Sequence, residues 1–136
     1  MNIIGQSIQK KDGYEKVHGT AKFAIDYISS DMLYAKLVTS TYAHANIKSV
    51  NIDKAYNMPG VKAILLGDFY PELVGVIYED RPILAKSKVR YYGEPVAVVV
   101  ANSQLEAEMA AQAVEVEYEP LPPVNSPSAG VMPDAP

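Results

Sequence analysis

The chain has 136 residues, a formal net charge of −4 and no cysteine. This length fits one domain with a core of its own, and the missing cysteine excludes disulfides, thiolate metal sites and iron–sulfur ligation within these residues. No cluster of Lys or Arg offers the basic surface that nucleic acids require, and no apolar run approaches the roughly 20 residues that cross a bilayer. We therefore predict a cytoplasmic domain that binds neither nucleic acid nor membrane.

Residues 1–20 are predicted to form an N-terminal extended arm. They are polar and are interrupted by Gly5, Gly13 and Gly19, which favour irregular backbone over a regular element. The folded domain is predicted to follow over residues 21–119.

Three strands and a short helix are predicted in the first part of this domain. Residues 33–40 and 45–52 are rich in apolar and β-branched side chains, and residues 61–66 form a third run of this kind. A hairpin-like or bent connection is expected between the first two strands, because only four residues separate them. Asp53 is predicted to cap a helix over residues 54–58.

Pro59 and Gly60 are predicted to end that helix. Residues 67–81 contain Pro71 and Gly75 and are predicted to form a long loop. Loops of this length are uncommon in compact domains and often have a function.

The strongest structural prediction is a strand, a helix and a strand over residues 96–119. Residues 96–101 are apolar at every position, as in a strand covered on both faces, so an aspartate at Val98 should abolish folding. Ser103 and Glu106 have the spacing of a capping box at a helix start. The buried face of the helix is predicted to carry Leu105, Met109, Ala113 and the neighbouring Ala110, and the alanines at 107, 110, 111 and 113 should allow a close approach to the sheet.

The last predicted strand has one wet face. Val114, Val116 and Tyr118 alternate there with Glu115, Glu117 and Glu119. We predict an α/β (α+β) fold, a single domain with a mixed sheet, a right-handed parallel βαβ unit and one or two short helices. Residues 120–136 hold six of the ten prolines, so they are predicted to continue neither sheet nor helix and to be a linker to a downstream domain.

Few residues have the pattern of a reactive site. No phosphate loop, dinucleotide fingerprint or nucleophile elbow occurs in the sequence. The glutamates of the last strand are interpreted as a solvated face rather than a metal site. His18 is expected to be exposed, and His44 is interpreted as a packed or interfacial residue rather than a ligand. We predict no catalytic, cofactor-binding or metal-binding residue here.

Four segments, in order along the chain, resemble the α/β hammerhead domain of the molybdenum hydroxylases, the xanthine dehydrogenase and aldehyde oxidase family. They are residues 12–23, 40–47, 59–61 and 82–122. The resemblance implies the N-terminal part of a molybdopterin-binding subunit in an oxidoreductase. Such enzymes hydroxylate a purine, another N-heterocycle or an aldehyde, with water as the oxygen source.

The resemblance also implies the cofactors and partners. Molybdopterin with molybdenum is expected in the full-length enzyme, and iron–sulfur clusters and FAD in partner domains or subunits. The family's pterin-contacting loops and catalytic glutamate lie in later domains, so the present segment is expected to bind no cofactor and to be inactive alone, as a scaffold and interdomain domain. The alternative is a free-standing, non-catalytic protein-interaction module.

Two groups of residues are candidates for a role in that enzyme. Ile77, Tyr78 and Glu79 occupy the place of a family loop that borders the substrate funnel, although ordinary loop packing is the other interpretation. His44, Arg90 and Tyr92 are candidates for interdomain contacts. Nothing in this segment specifies the substrate, the electron acceptor or the oligomeric state.

Overall fold

The computed structural model describes residues 4–133 and 135 of the chain. It divides the chain into two compact units, Met1–Met32 and Leu33–Pro136. The first three residues of the predicted arm, and residues 134 and 136 of the predicted linker, lie outside the described residues.

The first unit contains a helix where the sequence predicted an extended arm. Helix α1 spans Gly13–Val17, and a 3₁₀ turn follows at Ala24–Asp26. Side-chain pairs four residues apart stabilise α1: Lys16 forms an ion pair with Asp12, and the rings of Tyr14 and His18 stack with centroids 4.0 Å apart. The prediction of an extended arm considered only the glycines and so did not take these side-chain pairs into account. His18 is exposed, as expected.

The second unit contains the remaining helices and strands. In chain order these are β1 (Tyr34–Thr39), β2 (Ala45–Asn51), α2 (Asp53–Tyr56), β3 (Val61–Leu66), β4 (Leu73–Val74), β5 (Arg81–Pro82), β6 (Lys88–Val89), β7 (Pro95–Ala101), α3 (Gln104–Ala113), β8 (Glu115–Pro120) and α4 (Pro127–Gly130). The five long strands begin and end within one residue of their predicted bounds, which confirms those predictions.

The sheet topology corrects the predicted parallel crossover. The strand orders are β1-β7-β3, β6-β2-β8 and β4-β5, and every pairing in the described part of the chain is antiparallel. Helix α3 therefore connects two sheets, because β7 and β8 do not pair. A strand–helix–strand order is compatible with either arrangement. The α/β class itself is confirmed.

The core lies on both sides of β7. Val96 packs in one buried cluster with Ala45, Ala85 and Val89, and Val99 packs in another that includes Ala110 of α3. The apolar run is buried because β7 is the central strand of its sheet, not because it belongs to a parallel one. Val98 is only half-buried, so the loss of folding predicted for an aspartate at Val98 is expected instead at Val99, which has no exposed surface.

The buried face of α3 differs from the predicted one. Leu105 and Met109 are 66% and 51% exposed, whereas Ala107 and Ala110 are 1% and 0% exposed. The helix packs against β1 and β7 through small side chains, because only these allow the backbones to approach closely. The predicted alanine contacts are thus confirmed at 107 and 110, and the predicted Leu105–Met109 face is wrong. The Ser103 cap is confirmed, since its Oγ accepts a hydrogen bond from the Glu106 N–H at 3.3 Å.

Helix α2 is shorter than predicted and is not capped by Asp53. Asp53 is its first residue, and the Asn51 side chain accepts a hydrogen bond from the Asp53 N–H at 2.9 Å. Gly60 then turns the chain with a φ of +81°. The Glu106 carboxylate occupies the space that a Cβ at Gly60 would need, so both backbone and packing require glycine there.

Two predicted irregular segments contain short elements. The predicted loop over residues 67–81 contains strand β4 and leads into its partner β5. The proline-rich tail contains α4, which begins with Ser126 as its N-cap and Pro127 in its first turn. Proline is tolerated there because the first N–H groups of a helix have no intrahelical partner. The prediction that residues 120–136 continue neither sheet nor helix is therefore wrong for Pro120, which ends β8, and for residues 127–130.

Candidate functional site

The three residues predicted for interdomain contacts meet at one cleft of the second unit. This cleft has a volume of about 480 Å³. One wall is formed by the connection between β1 and β2, another by β6 and the residues directly after it, and a third by the proline-rich tail. The lining residues are Ala43, His44, Lys88, Arg90, Tyr91, Tyr92, Pro123, Val124 and Asn125.

His44 holds the tail against the start of β2. Its Nδ1 lies 2.7 Å from the carbonyl oxygen of Pro122, and its own carbonyl accepts a hydrogen bond from the Leu121 N–H at 2.9 Å. Because a carbonyl oxygen only accepts, Nδ1 carries the proton in this contact. These two bonds fix the wall of the cleft that residues 123–125 form.

A buried carboxylate, Glu94, supports the opposite wall. Its side chain is 2% exposed, and one oxygen accepts a hydrogen bond from the Arg90 N–H. The other oxygen lies 3.9 Å from the Arg90 guanidinium and has no hydrogen-bond partner within the described residues. Glu94 therefore fixes the backbone of Arg90 while it offers that guanidinium a counter-charge.

Glu94 was missed in the sequence. It lies in the tight turn between Gly93 and Pro95, four residues after Arg90 and directly before the buried strand β7. The turn is also tied to the end of β1, because the Ser40 N–H donates to the Glu94 carbonyl and the Ser40 carbonyl accepts from the Gly93 N–H, each at 2.9 Å. The signal that could have identified Glu94 is a carboxylate directly before an apolar strand and four residues after an arginine.

The cleft is positively charged and aromatic. Lys88 and Arg90 bring two positive charges, and among the described residues no carboxylate lies within 4 Å of the Lys88 ammonium. Tyr91 and Tyr92 are 43% and 73% exposed. These charges favour an anionic group over a cation at this site.

The funnel candidates lie outside this cleft. Ile77 and Tyr78 are 84% and 78% exposed in the connection between β4 and β5, and Glu79 is exposed beside them. Gly75 approaches the Tyr78 carbonyl so closely that a Cβ would collide with it. The connection is thus a tight turn that presents apolar side chains to solvent.

The glutamates of β8 form a solvated face, as predicted. Glu119 pairs with Lys48 at 2.9 Å, and Glu117 accepts a hydrogen bond from Ser49 at 3.1 Å. Hydrogen bonds from Asn46 and Lys48 lower the pKa of Glu119 below its ordinary value. In the part of the chain that the structure describes, no three His, Asp or Glu side chains are grouped to hold a metal ion.

Tyr118, on the other face of β8, has a buried hydroxyl without a hydrogen-bond partner in the described residues. Burial raises the pKa of this hydroxyl above its ordinary value of 10.0, and the nearby Ser40 side chain offsets part of that rise without meeting hydrogen-bond geometry. An unfolded tyrosine loses its proton first, so the stability that this residue contributes is present below pH 10 and is lost as the pH rises through the higher folded value.

We expect Tyr118→Phe to leave the free energy of unfolding at pH 7 unchanged to within about 0.5 kcal/mol or to raise it, because an unpaired buried hydroxyl is removed. The loss of stability above pH 10 should be smaller than in the parent chain. Urea unfolding at both pH values measures this, with the exposed Tyr92→Phe as the matched control. A loss of more than about 1 kcal/mol at pH 7 would mean that the hydroxyl makes a hydrogen bond.

Comparison with known proteins identifies the domain type. The family model described as "Aldehyde oxidase and xanthine dehydrogenase, a/b hammerhead domain" matches residues 18–122, most of the chain. The chain belongs to this family. The resemblance that the sequence suggested is thus confirmed.

Relatives of this hammerhead domain are much longer proteins. It is 43% identical over 121 residues to the nicotinate dehydrogenase large molybdopterin subunit of Eubacterium barkeri, a match that covers 88% of this chain and 28% of that subunit. It is 38% identical over 137 residues to a probable xanthine dehydrogenase component of Bacillus subtilis, with 99% of this chain and 18% of that protein covered. The chain therefore spans only 28% and 18% of the length of these two relatives.

Solved structures show the same hammerhead fold. The CO dehydrogenase from Oligotropha carboxidovorans aligns with a TM-score of 0.88 at 34% identity, over 97% of this chain and 17% of that one. The quinoline 2-oxidoreductase from Pseudomonas putida 86 aligns with a TM-score of 0.87 at 33% identity, over 96% and 18%. The domain is thus one found in molybdenum-containing oxidoreductases.

None of the helices in the described part of the chain has the length and apolar composition that spanning a membrane requires.

Proposed function

We propose that this hammerhead domain is the non-catalytic scaffold and interdomain domain of a molybdenum-dependent hydroxylase that acts on purines, N-heterocycles or aldehydes. The supporting observation is the family match over residues 18–122, together with relatives of which the chain spans 28% and 18%. An enzyme of that length has ample chain for an active site outside the hammerhead domain.

The names of the relatives support a scaffold role. At 43%, 38% and 35% identity, they refer to nicotinate, xanthine and 6-hydroxypseudooxynicotine. Similar hammerhead domains therefore accompany different substrates, as expected if other domains select the substrate. The described residues also contain no grouping of metal ligands, so no reaction step is assigned to them.

Cofactors and partners follow the same proposal. The downstream domain of the subunit would hold molybdopterin with molybdenum, which supplies the oxidation chemistry when bound. Iron–sulfur clusters and FAD in partner domains or subunits would take up the electrons. A cytoplasmic location remains a prediction from the sequence.

The complete reading frame that contains this chain tests the proposal. Its product, purified with its partner subunits, should contain molybdenum and hydroxylate at least one of nicotinate, xanthine, quinoline and an aromatic aldehyde. With ¹⁸O-labelled water, the label should enter the product. A product without molybdenum or hydroxylation would favour the alternative, a non-catalytic interaction module.

We also propose that the β4–β5 connection borders the substrate funnel through Ile77, Tyr78 and Glu79. Its exposed apolar side chains support this role, because a complete enzyme has to cover them or place them beside an apolar substrate. Tyr78→Ala in the complete enzyme should change KM or substrate preference by several-fold, on the order of 1 kcal/mol. Its effect on stability should stay within about 0.5 kcal/mol.

Steady-state kinetics across a substrate panel measures the effect of Tyr78→Ala. The control is Tyr56→Ala, which removes another exposed tyrosine, one that belongs to α2. An unchanged substrate profile for Tyr78→Ala would leave ordinary loop packing as the role of this segment.

A further inference from the structure

We infer that the cleft between His44, Arg90 and residues 123–125 is the docking site for an acidic side chain from the downstream part of the same subunit. This inference rests on the proposed function, because it requires the subunit to continue beyond the hammerhead domain. The cleft would then be an interdomain contact with a defined chemistry, a carboxylate against a lysine and an arginine.

The charges of the cleft specify this chemistry. Lys88 and Arg90 line it with two positive charges, and the buried Glu94 provides one negative charge, 3.9 Å from the Arg90 guanidinium. One positive charge, that of Lys88, remains without a carboxylate within 4 Å among the described residues. Covering an uncompensated ammonium costs several kcal/mol. A carboxylate on a domain that covers this cleft would offset this cost.

The walls of the cleft are suited to a protein contact. Arginine and tyrosine are the side-chain types that concentrate at the centres of interfaces, and Arg90, Tyr91 and Tyr92 lie side by side here. The backbone of Arg90 is fixed by Glu94, and the tail is fixed by the 2.7 Å contact of His44 with Pro122. Two walls are thus formed before a partner binds, which lowers the entropic cost of docking.

The same chain is the best source of the occupant. The family match ends at residue 122, and residues 123–125 form the adjoining wall. In a subunit as long as the relatives, the chain passes the cleft at residues 123–125 before it continues beyond residue 136. A segment tethered so close has a high effective concentration, which favours it over a separate molecule.

Zero-length cross-linking tests this in the complete subunit. A carbodiimide joins an amine to a carboxylate that it touches, so mass spectrometry should find Lys88 linked to an Asp or Glu beyond residue 136 of the same polypeptide. Lys62, which is exposed on β3, is the control amine and should form no cross-link to residues beyond 136. Lys88→Arg should abolish the link, because a guanidinium does not react with the activated carboxylate. A link only within residues 1–136, a link to a second copy or another subunit, or no link at all would overturn the inference.

Charge reversal gives a second measurement. Lys88→Glu should make proteolytic cleavage of the complete subunit near residues 120–136 about tenfold faster or more, since breaking a covered charge pair costs several kcal/mol. Lys62→Glu makes the same change in net charge and should leave the cleavage rate unchanged. Equal rates for the two variants would contradict docking at the cleft. Molybdenum content, measured on the same preparations, tests the proposed function separately.

Discussion

Replacing Val99 with aspartate is expected to abolish folding of the chain. Val99 has no exposed surface and lies in β7, the central strand between β1 and β3. The substitution removes about 1.5–3 kcal/mol of apolar burial and places an unpaired carboxylate in the core, at a further cost of several kcal/mol. The sum approaches the whole stability of an ordinary domain, about 5–15 kcal/mol.

Circular dichroism and urea unfolding measure this outcome. The matched control is Val76→Asp, the same chemical change at a fully exposed position of the β4–β5 connection. The control should unfold cooperatively, with a free energy of unfolding within about 0.5 kcal/mol of the parent chain. A Val99→Asp chain that also unfolds cooperatively would exclude a central strand at this position.

The second large effect is expected at Ala110 on α3. Ala110→Leu should lower the free energy of unfolding by about 1–3 kcal/mol, because the helix packs against β1 and β7 through small side chains and has no room for a larger one. Urea unfolding with an unchanged m-value would show that the folded state, rather than the compactness of the unfolded state, has changed.

Leu105→Ala, on the same helix, distinguishes the observed packing from the one that the sequence predicted. A buried leucine costs about 2–5 kcal/mol when it is shortened to alanine. Leu105 is 66% exposed, so we expect less than about 1 kcal/mol. A large loss at Leu105 with no loss at Ala110 would restore the predicted Leu105–Met109 face.

Local sequence patterns were sufficient to locate the strands. The apolar run of β7 and the alternation of β8 depend on neighbouring residues only, and both strands begin and end within one residue of the predicted bounds. Partner choice depends on residues far apart in the chain. The pairing of β7 with both β1 and β3 therefore could not be derived from its own composition, and the parallel crossover was predicted instead.

The prediction of the buried face of α3 failed for a related reason. Periodicity ranks side chains by hydrophobicity, so it selected Leu105 and Met109. Because α3 lies close to the sheet, only small side chains fit between them. Ala107 and Ala110 are therefore buried, while Leu105 and Met109 are exposed. In a complete enzyme these exposed apolar residues are candidates for contacts with other domains.

The cleft was anticipated only in part. His44, Arg90 and Tyr92 were selected one by one as contact residues, and the fold brings all three to one place. Their convergence requires the β6–β2 pairing and the bond between His44 and the tail, which join segments far apart in sequence. The contribution of Glu94 also depends on burial, which the sequence did not reveal.

The measurement that tests the scaffold account most directly compares the 136-residue chain with the complete subunit, both produced in cells supplied with molybdenum. We expect the complete subunit to contain molybdenum and to turn over substrate. The shorter chain should unfold cooperatively, contain no molybdenum and show no turnover. Hydroxylation by the shorter chain alone would contradict the account, because residues to which we assign only a structural role would then catalyse the reaction.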